Sequence, residues 1–192
     1  MSSLQKFHRR TQSGSAAIAG IEWPAAAIGH GDEINGYWIG DVSTNKLIIA
    51  PYAMDTNKAL PTTGGGQIPY GSSGTSRGAT SNTNGLANTN TLYAFGSAAH
   101  PAAYYAKTTS QGGYNTWYLP ARDELMVIAS NRAAQPFKTM FPFSTDPARS
   151  YYQSSTEASA TQAVLVQVIG NYYFSDGKNY NRSVIPVRRT TV

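Results

Sequence analysis

Two carboxylates stand side by side at Asp123 and Glu124, inside the stretch GGYNTWYLPARDELMVIASN, and adjacent acids invite a test for general acid–base chemistry. Neighbouring side chains on a helix project about 100° apart, so this pair cannot flank one glycosidic bond. Their place just after Leu119 and Pro120 assigns them to the positive end of a helix dipole instead. The three histidines, His8, His30 and His100, lie far apart in loop or arm settings, and His100 reads as structural. No HExxH pair or EF-hand loop occurs, and the ten acidic residues form no metal-ligand cluster. GGGQIPYG lacks both the P-loop and the dinucleotide fingerprints, which sets nucleotide binding aside. A G-x-S-x-G elbow is missing, and the absence of cysteine removes thiol nucleophiles, disulfides and thiolate-bound metal. The expectation is a protein with no catalytic residues, no metal and no cofactor, whose work is recognition.

The elements that would position a recognition surface are legible in part. Around the acidic pair the chain reads as a glycine turn, a short aromatic strand and an amphipathic helix. Pro120 suits the first helical turn, and Ala121, Leu125, Ile128 and Ala129 share one side. Trp117 and Leu119 are expected on one strand face, pointing into that same interior. GYWIGDV and KLIIAPY, joined by Ser43 to Asn45, form a β-hairpin that Pro51 ends, with Trp38 a sheet-packing residue. Residues 55 to 91 are dominated by Gly, Ser, Thr and Asn and read as a long loop. Short helices are expected from Leu86 to Phe95 and from Pro101 to Lys107, the second with proline in its first turn. PFKTMFPFSTDPARS is a proline-broken loop. YYQSSTE opens a strand, and QAVLVQVIG, apolar on alternate residues of both faces, is a central one. Gly170-Asn171 and Asp176-Gly177 supply turns, and Pro186 makes the last segment, SVIPVRRTTV, an edge or locally irregular strand.

Composition bounds the class of protein. The 192 residues suffice for one domain with an appended arm, and 41% apolar content excludes wholesale disorder. Only 13% of residues are charged, while 13 are Tyr, which describes a polar but weakly charged surface. The net charge of +5 is scattered apart from Lys6, His8, Arg9 and Arg10, so no nucleic-acid partner is expected. No apolar run approaches the roughly 20 residues of a membrane span, and the basic start lacks the hydrophobic stretch of a signal peptide. Residues 1–34 read as an extended arm with isolated large residues among small ones. Lys6, Phe7, Arg9, Arg10, Ile18, Ile21 and Trp23 are its candidate docking residues, for a partner subunit or for the arm's own domain.

GGYNTWYLPARDEL, YYQSSTE, FSDG and VIPVRR, in that order, resemble the motif series of the DUF1566 (Lcl C-terminal domain-like) family. The likeness covers about Gly36 to Thr190, with Thr116 and Tyr152 standing where the family often has Asp and Trp. It implies an α+β, C-type-lectin-like domain over residues 35–192: a twisted antiparallel sheet with two short helices and long loops. Glu-Pro-Asn, Gln-Pro-Asp and Trp-Asn-Asp are missing, so calcium-mediated sugar binding is not implied, and formylglycine-generating chemistry fails for want of cysteine. Phage tail-fibre and virion-surface proteins carry such modules. The expected function is therefore a non-enzymatic virion-surface protein of fibre or receptor-binding type, docked on other virion proteins through its arm and binding a host-surface glycan or protein. The alternative is a capsid or tail decoration protein that clamps neighbouring subunits; a trimer is the oligomer that analogy suggests. Tyr buries ring area at little entropic cost and keeps a hydrogen-bonding hydroxyl. The resemblance places the ligand face at Tyr151, Tyr152, Asn171, Tyr172, Tyr173, Asn179, Tyr180, Asn181 and Arg182, with one of each consecutive Tyr pair expected to turn inward.

Overall fold

The computed structural model describes residues 31–32, 36–50, 67–110, 114–133 and 151–191. The candidate arm residues, the loop from Pro136 to Ser150 and the strand end at Pro51 lie outside these segments.

The protein is α+β, with two sheets and three helices among the described residues. Strands β1 (Gly31–Asp32), β2 (Gly36–Val42), β3 (Asn45–Ile49) and β9 (Val187–Thr191) form the first sheet in that order. The second contains β4 (Gln67–Pro69), β5 (Tyr151–Glu157), β6 (Gln162–Gln167), β7 (Tyr172–Gly177) and β8 (Asn181–Ser183), in the order β4-β8-β5-β6-β7. All pairings are antiparallel except a parallel contact of β5 with β8 at Tyr152 and Ser183. Helices α1 (Gly85–Tyr93), α2 (Pro101–Thr108) and α3 (Arg122–Asn131) complete the fold. This corrects the expectation of one sheet with two helices: the irregular 186 position lets the C-terminal segment leave the second sheet at Ser183 and enter the first at Val187. No helix of the described residues is long and apolar enough to cross a membrane.

The hairpin β2–β3 forms as its residues predict, turning at Ser43 with a positive φ of 58°. Alternation then buries both faces of this sheet. Tyr37, Ile39, Leu47 and Ile49 meet Leu125, Ile128 and Ala129 of α3 and Val166, Val168, Ile185 and Val187 in a core shared by both sheets. Trp38 and Ile48 point the other way, to Ala50 and Trp117. A bulge after Trp38 brings Gly40 against α3, where a Cβ would stand 2.7 Å from Val127 and Asn131, so only glycine permits this approach of helix to strand. A further core of Ile68, Tyr70, Leu92, Ala102, Ala103, Ala106, Leu119 and Val184 lies beneath α1 and α2.

Several local expectations shift by a residue or two. The apolar side of α3 is buried as its spacing predicts, but Ala121 is the N-cap, which leaves Pro120 just outside the helix. Residues 55–91 are not all loop: β4 and the start of α1 fall within them, and α1 spans Gly85–Tyr93 rather than Leu86 to Phe95. Pro101 does open α2. Strand β6 is interior and buried from Ala163 to Gln167, as its two-faced apolar pattern requires. Asn171 turns the chain with φ 56°, whereas Asp176 and Gly177 end β7 and the turn falls at Lys178 and Asn179. Trp117 and Leu119 are both buried but enter different cores, with Tyr118 between them in the third. The segment they occupy meets β9 at a bridge from Tyr118 to Val187.

Candidate functional site

The motif residues that could have been chemical are held by structural contacts. Glu124, fully buried, accepts hydrogen bonds at Oε1 from the Tyr118 hydroxyl (2.6 Å) and Arg189 Nε (2.8 Å), and at Oε2 from the Ala121 (2.7 Å) and Gly85 (3.1 Å) N–H groups. The first-turn N–H groups of α3 find further acceptors in Thr156 Oγ1 (3.1 Å, from Arg122) and the Asn82 carbonyl (2.9 Å, from Asp123). The helix start is thereby filled by the chain itself. Burial, followed by the nearby Glu124 charge, pushes the Tyr118 hydroxyl well above its ordinary pKa, so it stays protonated and donates to Glu124.

Glu157, at the end of β5, is equally occupied. Its Oε1 pairs with Lys178 Nζ at 2.7 Å, with side-chain exposures of 1% and 0%. Its Oε2 accepts from the Ser76 hydroxyl (3.1 Å) and the N–H groups of Arg77 (2.8 Å) and Ala79 (3.2 Å). Lys178 also donates to the Thr75 carbonyl at 3.0 Å. Burial alone would raise the Glu157 pKa, but Lys178 and the N–H and hydroxyl donors outweigh it and hold the carboxyl below its usual value. The pair pins residues 75–79 across the end of the second sheet. Among the described residues no group of three His, Asp or Glu side chains could hold a metal ion.

Beside this pair, His100 is fully buried between the rings of Tyr70 (centroids 5.7 Å apart) and Phe95 (6.1 Å), and neither ring nitrogen has a hydrogen-bond partner. Burial and then the Arg77 guanidinium lower its pKa; Lys178 adds to them and Glu157 opposes them. The imidazole is neutral at pH 7, a packing group as its sequence setting suggested. A base with a lowered folded pKa adds stability that is complete above the unfolded value of about 6.5 and is lost as pH falls through the folded value. Thermal melts between pH 7.5 and 5 should therefore show a stability loss beginning near 6.5, which His100→Phe flattens; an unchanged slope in the variant would assign the effect elsewhere.

The tyrosine surface differs from these saturated clusters. Paired strand residues share a face, so the register sorts the candidates. Tyr151 pairs Gln167, which pairs Tyr172, while Tyr152 pairs Val166, which pairs Tyr173. Tyr151, Tyr172, Phe174 and Asp176 thus occupy one face, and Tyr152 and Tyr173 the other, where α3 packs. Tyr152 is half-buried against the shared core, and burial raises its pKa well above the ordinary phenol value. Tyr173 remains 52% exposed, with the Arg122 guanidinium 4.7 Å from its ring centroid. The expected inward turn of one residue in each Tyr pair does not occur at 172 and 173. Both are exposed on the edge strand β7.

On the first face an aromatic row runs from strand to strand. The Tyr151 ring meets Phe174 edge-on (5.4 Å between centroids), and Phe174 lies 6.2 Å from Tyr172. The Arg182 guanidinium stands 5.7 Å from the Tyr151 centroid and 5.4 Å from that of Tyr180. Arg182 is fixed by an ion pair with Asp176 at 2.5 Å and by the Asn181 carbonyl at 3.2 Å. A hydrogen bond to Tyr151 raises the Tyr172 pKa. Tyr172 and Tyr180 are 47% and 52% exposed. Asn179 and Asn181 are exposed near the same end. Asn171, at the opposite end of β7, reaches Ser130 of α3 at 3.4 Å and does not join the row. Phe174 and Asp176, absent from the candidate set, belong to it; the i, i+2 spacing from Tyr172 is the sequence signal that identifies them.

No family model matches the chain, and no curated protein matches it.

Proposed function

We propose that the chain is a non-enzymatic bacteriophage virion-surface protein of fibre or receptor-binding type, in which a C-type-lectin-like domain presents the face of β5, β7 and β8 to the host surface. The observation that carries this reading is the row Tyr180, Arg182, Tyr151, Phe174 and Tyr172, two of its rings about half exposed, mounted on β5, β7 and β8 and on the turn that leads into β8. Rings held on strands lose little conformational freedom on binding and offer both area and hydroxyls. The buried carboxylates Glu124 and Glu157 are both engaged in scaffolding contacts, which supports a binding role over a catalytic one for the motifs that carry them. In the proposed particle, residues 1–34 attach the domain to other virion proteins. Purified full-length chain should bind susceptible bacteria, and antibodies to it should block adsorption of the particle. Failure of both removes the proposal.

A second reading, a decoration protein clamping neighbouring subunits, draws on the outer edge of β7, which no described strand covers. Deleting residues 1–30 separates the two. A receptor-binding module keeps its affinity for cells after that deletion, whereas a clamp shows no affinity for cells with or without it.

A further inference from the structure

The charges on the aromatic face indicate what it would bind, given that the face is a binding site as proposed above. Arg182 and Asp176 cancel one another at 2.5 Å with similar side-chain exposures, 25% and 22%. Lys178, two residues after Asp176, is buried against Glu157, and Arg122 lies on the opposite face paired with Asp123. An anionic group would have to take Arg182 from Asp176, and a cationic one would have to take Asp176 from Arg182. Neither is favoured when the existing pair is this close and half-desolvated. The face therefore offers ring surfaces, phenol hydroxyls, exposed Asn side chains and a fixed, internally neutral guanidinium–carboxylate pair.

We infer that this face takes an uncharged saccharide, with the Tyr172 and Tyr180 rings contacting the apolar C–H side of sugar rings and Asp176, Arg182 and Asn181 hydrogen-bonding the hydroxyls. Sugars combine an apolar face with a rim of neutral donors and acceptors, and that is the complement of the groups present. The Asp176 carboxylate accepts from sugar hydroxyls, and the guanidinium N–H groups donate to sugar oxygens while the pair stays intact. No metal ion takes part, so chelators leave binding unchanged.

The test uses the full chain and soluble oligosaccharides of glucose, galactose and N-acetylglucosamine, set against sialylated, uronate-containing and sulfated ones, with binding followed by ligand-observed NMR and by titration calorimetry. Binding to at least one neutral oligosaccharide is expected, changing less than about twofold between 50 and 500 mM salt, as screening has little to act on. Tyr180→Ala and Tyr172→Ala should each weaken it about tenfold or more while leaving the thermal midpoint within a few degrees. Asp176→Asn, which unpairs Arg182, should shift preference toward the anionic glycans. A preference of the unmodified chain for charged glycans, steep salt dependence, or neutral-sugar binding indifferent to both Tyr substitutions overturns the inference. So does a second copy of the chain seated on this face, seen as a dimer in sedimentation that Tyr172→Ala dissociates. Binding to cells that persists after enzymatic removal of surface glycans overturns the saccharide while sparing the host-binding proposal; absence of cell binding removes both.

Discussion

Glu124→Ala should lower the thermal midpoint by about 10–15 °C, the largest single effect expected in this protein, corresponding to roughly 3–5 kcal/mol for a chain of this size. The carboxylate is the common acceptor for four donors from three parts of the chain: the Tyr118 hydroxyl and the Ala121 N–H just before α3, the Gly85 N–H at the start of α1 and the Arg189 guanidinium of β9. Alanine leaves Gly85 and Ala121 without acceptors in a dry setting and deprives Arg189 of its counter-ion, and each such loss costs about 1–3 kcal/mol before relaxation. Arg189 also reaches the Thr83 carbonyl, so its release frees the approach to α1 as well. Glu124→Gln keeps an oxygen for the two N–H groups and should cost clearly less than alanine. Equal melting of the two variants, or a loss under 2 °C for alanine, would show that the carboxylate's contacts contribute little.

Lys178→Met is expected to destabilise by a comparable amount, roughly 3–5 kcal/mol, through the charge it strands rather than the contact it removes. With the ammonium gone, Glu157 stays buried and ionised, held by Ser76, Arg77 and Ala79 alone. Its carboxyl sits below the ordinary value in the intact protein, so its stabilising contribution is present above the unfolded value of about 4.3 and is lost only as pH falls through the lower folded value. Without Lys178 that window should move to higher pH, and acid unfolding of the variant should begin earlier. Glu157→Gln in the same background removes the stranded charge while keeping an acceptor for the Arg77 and Ala79 N–H groups. The double variant should therefore be more stable than Lys178→Met. A double variant that melts no higher than the single one would refute the stranded-charge account.

These two clusters show where reading the sequence stops. The place of Glu124 after Leu119-Pro120 marks a helix start, and it does lie in the first turn of α3. Nothing local reveals that the same carboxylate serves Arg189, 65 residues later. Lys178 is harder still, because lysine is among the residues least often buried and its partner is 21 residues away at the end of β5. Period and turn chemistry gave the hairpin, the apolar side of α3, the two-faced strand β6 and the helix at Pro101, since each depends on neighbours in sequence. The division into two sheets is hidden from the sequence for the opposite reason. Ser183 to Val187 reads as one strand interrupted by a proline, and only the tertiary structure shows the chain changing sheets there. For the candidate site, alternation along YYFSDG places Tyr172 with Phe174 and Asp176. Whether Tyr173 is covered depends on how α3 lies against β7, which is a tertiary matter.

The three consecutive residues Trp117, Tyr118 and Leu119 each sit in a separate core, and Tyr118 exchanges both backbone hydrogen bonds with Val187, at 2.8 and 3.0 Å. No partial opening can free one of those cores without pulling on the other two through this short peptide. The amide protons of Tyr118 and Val187 should therefore be among the last in the molecule to exchange with solvent deuterium, at the rate of global unfolding and not through any smaller fluctuation.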